Sequence, residues 1–313
     1  MRTDHFDRRT FLATGAALVG AAVAGPAAAA PFFARTRLPI GIQLYTLGPD
    51  AAKDLDGTLK AVAAIGYKTV ELAGFLGRTP AQFRAALDQA GLVGASAHIQ
   101  GRGGFDGDLA RLAEDLRTVG ATHAVMPSPY IPDHVLKAAA GTSGVDFYRK
   151  VNSSLTADDW KMNADFLNAK AKVLKAAGIT VGYHNHNFEF APVGQTTGLD
   201  ILLANTDPAL VTFELDVGWV AAAGVDPKAF FAKHKGRFGL MHVKDIKATT
   251  KPNFELRMDP TEIGSGRLDW KTLLPAAHAA GVRGFYVEQE PPFERPRIEA
   301  AKISYDFLAR VNA

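Results

Sequence analysis

The chain of 313 residues contains no cysteine, so it has neither disulfides nor a thiolate metal site. It has no large excess of either charge: 35 Lys and Arg stand against 32 Asp and Glu, a formal +3. It has no basic run and no interleaving of basic and aromatic residues, which argues against nucleic acid as a partner. Beyond residue 30 no stretch carries eighteen uninterrupted apolar residues, so no membrane span is expected there. What is present is ordinary globular composition, 47% hydrophobic and 21% charged, ample for a large core. Length alone suggests about two domains, but α/β barrels of about 250 residues are the standing exception.

The first thirty residues differ from the rest. In "DRRTFLATGAALVGAAVAGPAAAA" a twin arginine, Arg8 and Arg9, precedes Phe11 and Leu12, and an Ala/Gly/Val run then ends in small residues. This resembles a twin-arginine (Tat) signal peptide cut near Ala28 to Ala30. An ordinary secretory signal or an uncleaved anchor is the alternative. The resemblance implies a periplasmic protein without stable membrane insertion after cleavage. That export route carries folded proteins, so a cofactor would be loaded before export.

From residue 38 onward, short apolar runs alternate with longer amphipathic ones. Candidate strands are residues 39–45, 67–73, 93–99, 123–128, 179–184, 211–217, 238–244 and 284–290. Helical periodicity fills the gaps, most clearly in "ADDWKMNADFLNAKAKVLKAAG", with Thr156 or Asp158 as N-cap and Gly178 as the stop. The tail "IEAAKISYDFLARVNA" reads as a last helix. Gly recurs between helix and strand, in "AAIGY", "QAGLV", "KAAGIT" and "AAGVRGF", as helix C-termini require. Eight strands with helices between them predict a single (β/α)8 TIM barrel over residues 31–313; a doubly wound sheet would use fewer strands.

Catalytic residues of such a barrel sit at the C-terminal strand ends, and here those ends are unusually polar. The third strand ends in His98. The fifth runs into His184 and His186, the sixth carries Glu214 and Asp216, the seventh His242 and Lys244, and the eighth Glu288 and Glu290. Residues two apart on a strand face the same way. If that way is inward, imidazoles, carboxylates and a lysine converge. Each would cost several kcal/mol if buried alone. Converging imidazole nitrogen and carboxylate oxygen suit a borderline divalent ion, Mn²⁺, Zn²⁺, Co²⁺ or Fe²⁺, with Mg²⁺ also admissible. Each residue alone also has a plainer reading: His98 as a loop hydrogen-bonder, Lys244 as a salt-bridge partner of Glu214 or Asp216.

"GYKTVEL", "FELDVGW", "MHVKD", "EIGSGRLDW" and "YVEQE", in that order and spacing, resemble the xylose isomerase-like TIM-barrel superfamily of sugar isomerases, epimerases and inosose dehydratases. The resemblance covers residues 38 to 311. It implies one metal held from the last four strands, commonly by Glu, Asp, His and Glu. The last three map to Asp216, His242 and Glu288. On the fifth strand "YHNH" replaces the glutamate, so His184, with His186 close behind, is the match. This departure is more like the inosose dehydratase branch. A second departure is Trp219, where many epimerases carry a histidine.

The resemblance implies a sugar, keto-sugar or cyclitol as substrate, and the expected export an unphosphorylated one. The metal would act as a Lewis acid and stabilise an enediolate, with Glu288 or Glu290 taking the proton next to the carbonyl. Lys244 would steady the oxyanion, and Glu189 is the candidate second base. Returning the proton gives an isomerase or epimerase. Expelling a β-substituent gives a lyase, which the loss of the strand-five glutamate favours. Gln43, Glu71, His98 and Trp219 are candidate substrate binders, and Trp219, Phe188 and Phe293 a candidate stacking wall. "GSG" at 264–266 reads as a tight turn before a phosphate loop. The competing classes are a non-catalytic sugar-binding barrel and a relative of endonuclease IV, against which the near-neutral charge argues. An oligomer is compatible with the sequence.

Overall fold

The computed structural model describes residues 30–313; the expected signal peptide of residues 1–30 lies outside them except for Ala30. Eight parallel strands close into a barrel in chain order: β1 Gly41–Gln43, β2 Thr69–Leu72, β3 Val93–His98, β4 His123–Met126, β5 Thr180–His184, β6 Val211–Asp216, β7 Phe238–Val243 and β8 Gly284–Val287. The pairing of Gly41 with Tyr286 closes the ring. The eight expected strands and the single (β/α)8 barrel are therefore present. The strands are shorter than the apolar runs, because hydrogen-bonded pairing stops where the chain turns into loops.

The helices that cover the barrel follow local chemistry. Thr79 caps Pro80–Ala90 and Thr156 caps Ala157–Lys175, each by a reciprocal capping box. The second helix stops at Lys175, slightly before Gly178. Gly178 itself adopts a positive φ of 78° on the way to β5. The tail helix is Arg297–Leu308. Before β1, Phe32 and Phe33 pack their rings edge-on to Phe285 of β8, tying the first turn of chain to the barrel. Among the described residues no helix is long and apolar enough to cross a membrane.

The "GSG" segment proves to be a turn wrapped around an internal anion. The amides of Gly264 and Gly266 both donate to Asp245 Oδ2, at 3.0 and 3.2 Å, and Trp270 Nε1 donates to the same oxygen at 2.8 Å. A Cβ on Gly266 would stand 2.1 Å from Asp245 Oδ1, so the loop can close only on glycine. Its three amides are engaged within the fold, those of Gly264 and Gly266 by Asp245 and that of Ser265 by the Glu262 carbonyl.

Candidate active site and metal centre

Alternation along the last strands grades the barrel interior from apolar to polar. Leu240, His242 and Lys244 share one face, and so do Tyr286, Glu288 and Glu290. Leu240 and Tyr286 join Val125 in a small buried apolar cluster. The groups two and four residues further on build the polar site above it.

The lower polar level holds Glu71, His98, Glu214 and His242. His242 Nε2 lies 2.7 Å from Glu71 Oε2 and 3.1 Å from Glu214 Oε2. His98 Nε2 lies 2.9 Å from Glu214 and 3.2 Å from Glu71. Gln43 Nε2 and Ser96 Oγ donate to Glu71 at 2.8 and 2.5 Å. The upper level is centred on Lys244, which is wholly buried. Its Nζ lies 2.8 Å from Asp216 Oδ2, 2.7 Å from Glu288 Oε2 and 2.6 Å from Glu290 Oε1. His242 Nδ1, 3.0 Å from Glu288 Oε2, links the two levels.

The electrostatics follow from burial set against pairing. Burial disfavours the charged form of His98, but Glu71 and Glu214 overcome it and carry its pKa to about 9. Burial opposes the charge on His242 and Lys244 as well, and the surrounding carboxylates hold both well above their ordinary values. His184 has no such compensation: burial, with His242 beside it, pushes it well down. His186 falls to about 3 through burial and Lys244. Two imidazoles are thus held protonated among carboxylates, and two are held neutral with lone pairs to offer.

This arrangement fits a divalent cation. Five carboxylates, Glu71, Glu214, Asp216, Glu288 and Glu290, face three cationic groups, His98, His242 and Lys244. His184 Nδ1 and Asp216 Oδ2 are buried without a hydrogen-bond partner; Lys244 is near that oxygen but outside hydrogen-bonding geometry. Ligand atoms of His184, Asp216, His242 and Glu288 all lie within 4.8 Å of one another, as do those of an overlapping set, His98, His184, Glu214 and His242. Both sets include His184 and His242, and an ion there would displace the His242 proton. The first adds two carboxylates, Asp216 and Glu288, where the second adds one and His98, so it offsets a divalent charge better. The first set is the better fit. Mixed nitrogen and oxygen donors of this kind suit Zn²⁺, Mn²⁺, Co²⁺ or Fe²⁺.

His186 belongs to neither set. Its ring stands 4.9 Å from that of His184, stacks on Phe188 at 5.7 Å and leans on Trp219 at 5.5 Å, forming part of the wall. Trp219 is positioned by the helix start after β6: its amide donates to Asp216 Oδ1 at 2.9 Å and its indole N–H to Glu290 Oε1 at 3.2 Å. Gly218 of "DVGW" allows this, since a Cβ there would stand 2.7 Å from Lys244 Cγ. Gln43 and Glu71 lie beneath the cavity rather than on its wall. Phe293 packs under the Arg297 guanidinium at 4.3 Å, outside the cavity lining.

Glu189 is also buried. It accepts from Tyr183 Oη at 2.9 Å and from the His186 amide at 2.8 Å, which binds it to the turn after β5 instead of the cavity. Burial raises its pKa from 4.5 to about 8. Between those values the folded protein keeps a proton that the unfolded chain has lost. The contribution to stability is complete below pH 4.5 and is lost as the pH rises to 8. Glu189→Gln cannot ionise and should match the wild type near pH 5. By pH 8 it should have lost less stability, by about 3–4 kcal/mol. Urea unfolding at both pH values is the check, and parallel losses would disprove the assignment.

Above the cluster opens a cavity of about 500 Å³ that His98, His184, His186, Glu288 and Glu290 line from below. Sequence reasoning missed several wall residues, among them Tyr45, Tyr148 and Leu256. Tyr45 had a signal, following β1 two residues after Gln43. Tyr148 had only a weak one, the unusual length of chain between β4 and the helix Ala157–Lys175, where the extra helix Gly144–Ser154 folds. Leu256 had none.

Residues 59–311 match the model of the xylose isomerase-like TIM barrel family. Among curated proteins the chain is similar to an inosose dehydratase of Geobacillus kaustophilus, 26% identical over 196 residues, or 61% of this chain and 62% of the relative. Matches to further inosose dehydratases span about half of those relatives' lengths. Among solved structures, a sugar phosphate isomerase/epimerase from Parabacteroides distasonis superposes with a TM-score of 0.68 at 25% identity, covering 87% of this chain and 94% of that one. A xylose isomerase-like barrel from Mycobacterium smegmatis in complex with magnesium shares the fold, with a TM-score of 0.62 at 15% identity over 88% and 96% of the two chains.

Proposed function

We infer the function from one premise: this chain belongs to the xylose isomerase-like TIM barrel family, whose relatives named above are sugar-modifying enzymes. The reading is a divalent-metal-dependent enzyme that removes a proton next to the carbonyl of an unphosphorylated sugar, keto-sugar or cyclitol. Returning that proton makes it an isomerase or epimerase. The observation that carries the reading is the convergence of His184, Asp216, His242 and Glu288, of which His184 and Glu288 line the cavity.

These four residues would hold the ion, and bound there it would supply Lewis-acid polarisation of the substrate carbonyl. The chain's own groups divide the remaining work. Glu288 is held ionised, well below the ordinary carboxylate range, because Lys244 and His242 overcome its burial; it serves as a ligand. Glu290 is raised by burial despite Lys244, as a base working near neutral pH requires. Its Oε1 takes both the Lys244 and Trp219 donors, which leaves Oε2 to accept the substrate proton. Lys244 keeps Glu290 aimed; wholly buried behind the cavity wall, it would steady the oxyanion through its field and not by contact.

A second reading, elimination of a β-substituent, is favoured by the opposite wall. There β5 presents the neutral His184 and His186, and Glu189 is tied to Tyr183. No carboxylate therefore faces Glu290 across the cavity to form the two-sided acid and base pair of an epimerase. Export to the periplasm belongs to the same proposal and rests on Arg8, Arg9 and the apolar run after them.

Exchange of substrate hydrogen for deuterium in D₂O tests the shared step. Over a panel of keto-sugars and inososes, wild type should incorporate deuterium next to the carbonyl. Glu290→Gln should slow this by about 10²- to 10⁴-fold while still binding its metal. Unimpaired exchange in that variant would remove Glu290 from the base role. Tight sugar binding without exchange by wild type would point to a binding protein.

A further inference from the structure

The cavity is larger than a sugar and is built in two halves. A hexose fills roughly 200 Å³ at the packing density of a protein interior, whereas the cavity measures about 500 Å³. Its lower half is the polar floor already described. The remainder is walled mainly by Pro127, Pro129, Ile131, Tyr148, Val151 and Leu256, interrupted by the polar Gln100, Ser128 and Asn152. Most of this wall comes from one source, the long connection after β4 with its helix Gly144–Ser154. Among the described residues no Lys or Arg lines the cavity, and Lys244 is sealed behind the wall. In the apolar half, away from His98 and the floor, a phosphate finds no Lys or Arg side chain.

Two tyrosines at this cavity are poised for a ligand. Tyr45 is 51% exposed and Tyr148 is 50% exposed. Tyr45 stands near Glu288 and Glu290 of the polar floor, whereas Tyr148 stands in the apolar half, where an aromatic side chain left open suits a flat ring.

We propose that the apolar half is a subsite for the neutral, ring-bearing aglycone of a glycoside, so that the substrate is a glycoside and not a free monosaccharide or a sugar phosphate. This rests on the reading that the polar floor takes the sugar. The two halves are continuous, so a glycosidic bond carries the ligand from one into the other.

Calorimetric titration of the purified, metal-loaded protein tests this with probes that lack a keto group and do not turn over. Wild type should bind phenyl β-D-glucopyranoside at least ten-fold tighter than methyl β-D-glucopyranoside. Tyr148→Ala should reduce that preference to under three-fold and leave the methyl glucoside unchanged, while Tyr148→Phe keeps the preference. Tyr148 is half-exposed, so neither variant threatens the fold. Equal affinities in wild type, or a full preference in Tyr148→Ala, overturn this proposal alone. Phenol binding as tightly as phenyl glucoside overturns the sugar reading and this proposal with it, as does no binding by any of the three. Glucose 6-phosphate binding tighter than glucose overturns the claim of a neutral ligand.

Discussion

His242→Ala should purify without the divalent ion that wild type carries at about one equivalent, and should lose enolising activity. His242 touches both levels of the site. Its Nε2 meets Glu71 and Glu214 below, and its Nδ1 meets Glu288 above. Removing it deletes one of the four converging donors and loosens Glu288, a second. Loss of one ligand in a site of this kind lowers metal affinity by well over the 10- to 100-fold seen for groups that merely orient ligands. Elemental analysis beside activity measures both effects. Glu290→Gln is the contrast, since it should keep the ion and lose the chemistry. Full metal content in His242→Ala would place the ion elsewhere. No metal in wild type after incubation with each of Mn²⁺, Zn²⁺, Co²⁺ and Fe²⁺ would overturn the mechanism.

The second large effect falls on stability. Lys244→Met keeps most of the stem's volume and deletes the ammonium that holds Asp216, Glu288 and Glu290 together. Breaking a buried ion pair from one side costs about 3–5 kcal/mol, because the partner charges stay buried and uncompensated. In a protein of this size that is a fall in melting temperature of roughly 10 °C. Two signatures separate it from ordinary loss of packing. A divalent ion should restore much of the loss, because it supplies the missing positive charge to Asp216 and Glu288. The deficit should also shrink as the pH falls. Without Lys244 the crowded carboxylates have folded-state pKa values raised above the unfolded ones, so the folded variant gains protons and stability as the pH drops through those values. Wild type behaves oppositely: Glu288 is held low, and its contribution is lost only below the unfolded value. A variant as stable as wild type without metal, at neutral pH, would show that the ammonium is not the counter-charge of this cluster.

The deepest features of the fold were legible because they are one-dimensional. Eight apolar runs, each preceded by a helical stretch and often by Gly, mark eight strands, and the parity of paired polar residues marks the inward face. Thr156 announced its helix through a capping box. The metal-binding candidates on the last four strands were legible for the same reason: a polar strand end is expensive without a purpose. What was not legible was mostly a matter of contact across the barrel. Nothing local says that Gln43 and Glu71 end up beneath the cavity, because their depth depends on the stagger of β1 and β2 against β7 and β8. Glu189 is five residues from His184 in "HNHNFE", yet the turn after β5 curls its carboxylate back onto Tyr183. The glycine amides of "GSG" are committed to Asp245, which is nineteen residues earlier than Gly264.

The sequence by itself determined the barrel, the identity of the strands that carry polar ends, and the donor types available to a metal. These depend on periodicity, on residue chemistry and on the backbone preferences of Gly and of capping residues, all of which act over a few positions. Tertiary structure alone decided the electrostatic state of the site. Whether an imidazole is held protonated, like His98, or neutral, like His186, depends on which carboxylates from other strands come within a few ångströms of it. Tertiary structure likewise decided the shape of the cavity, because its apolar half is walled by the long excursion after β4 and by Leu256, segments brought together only when the barrel closes.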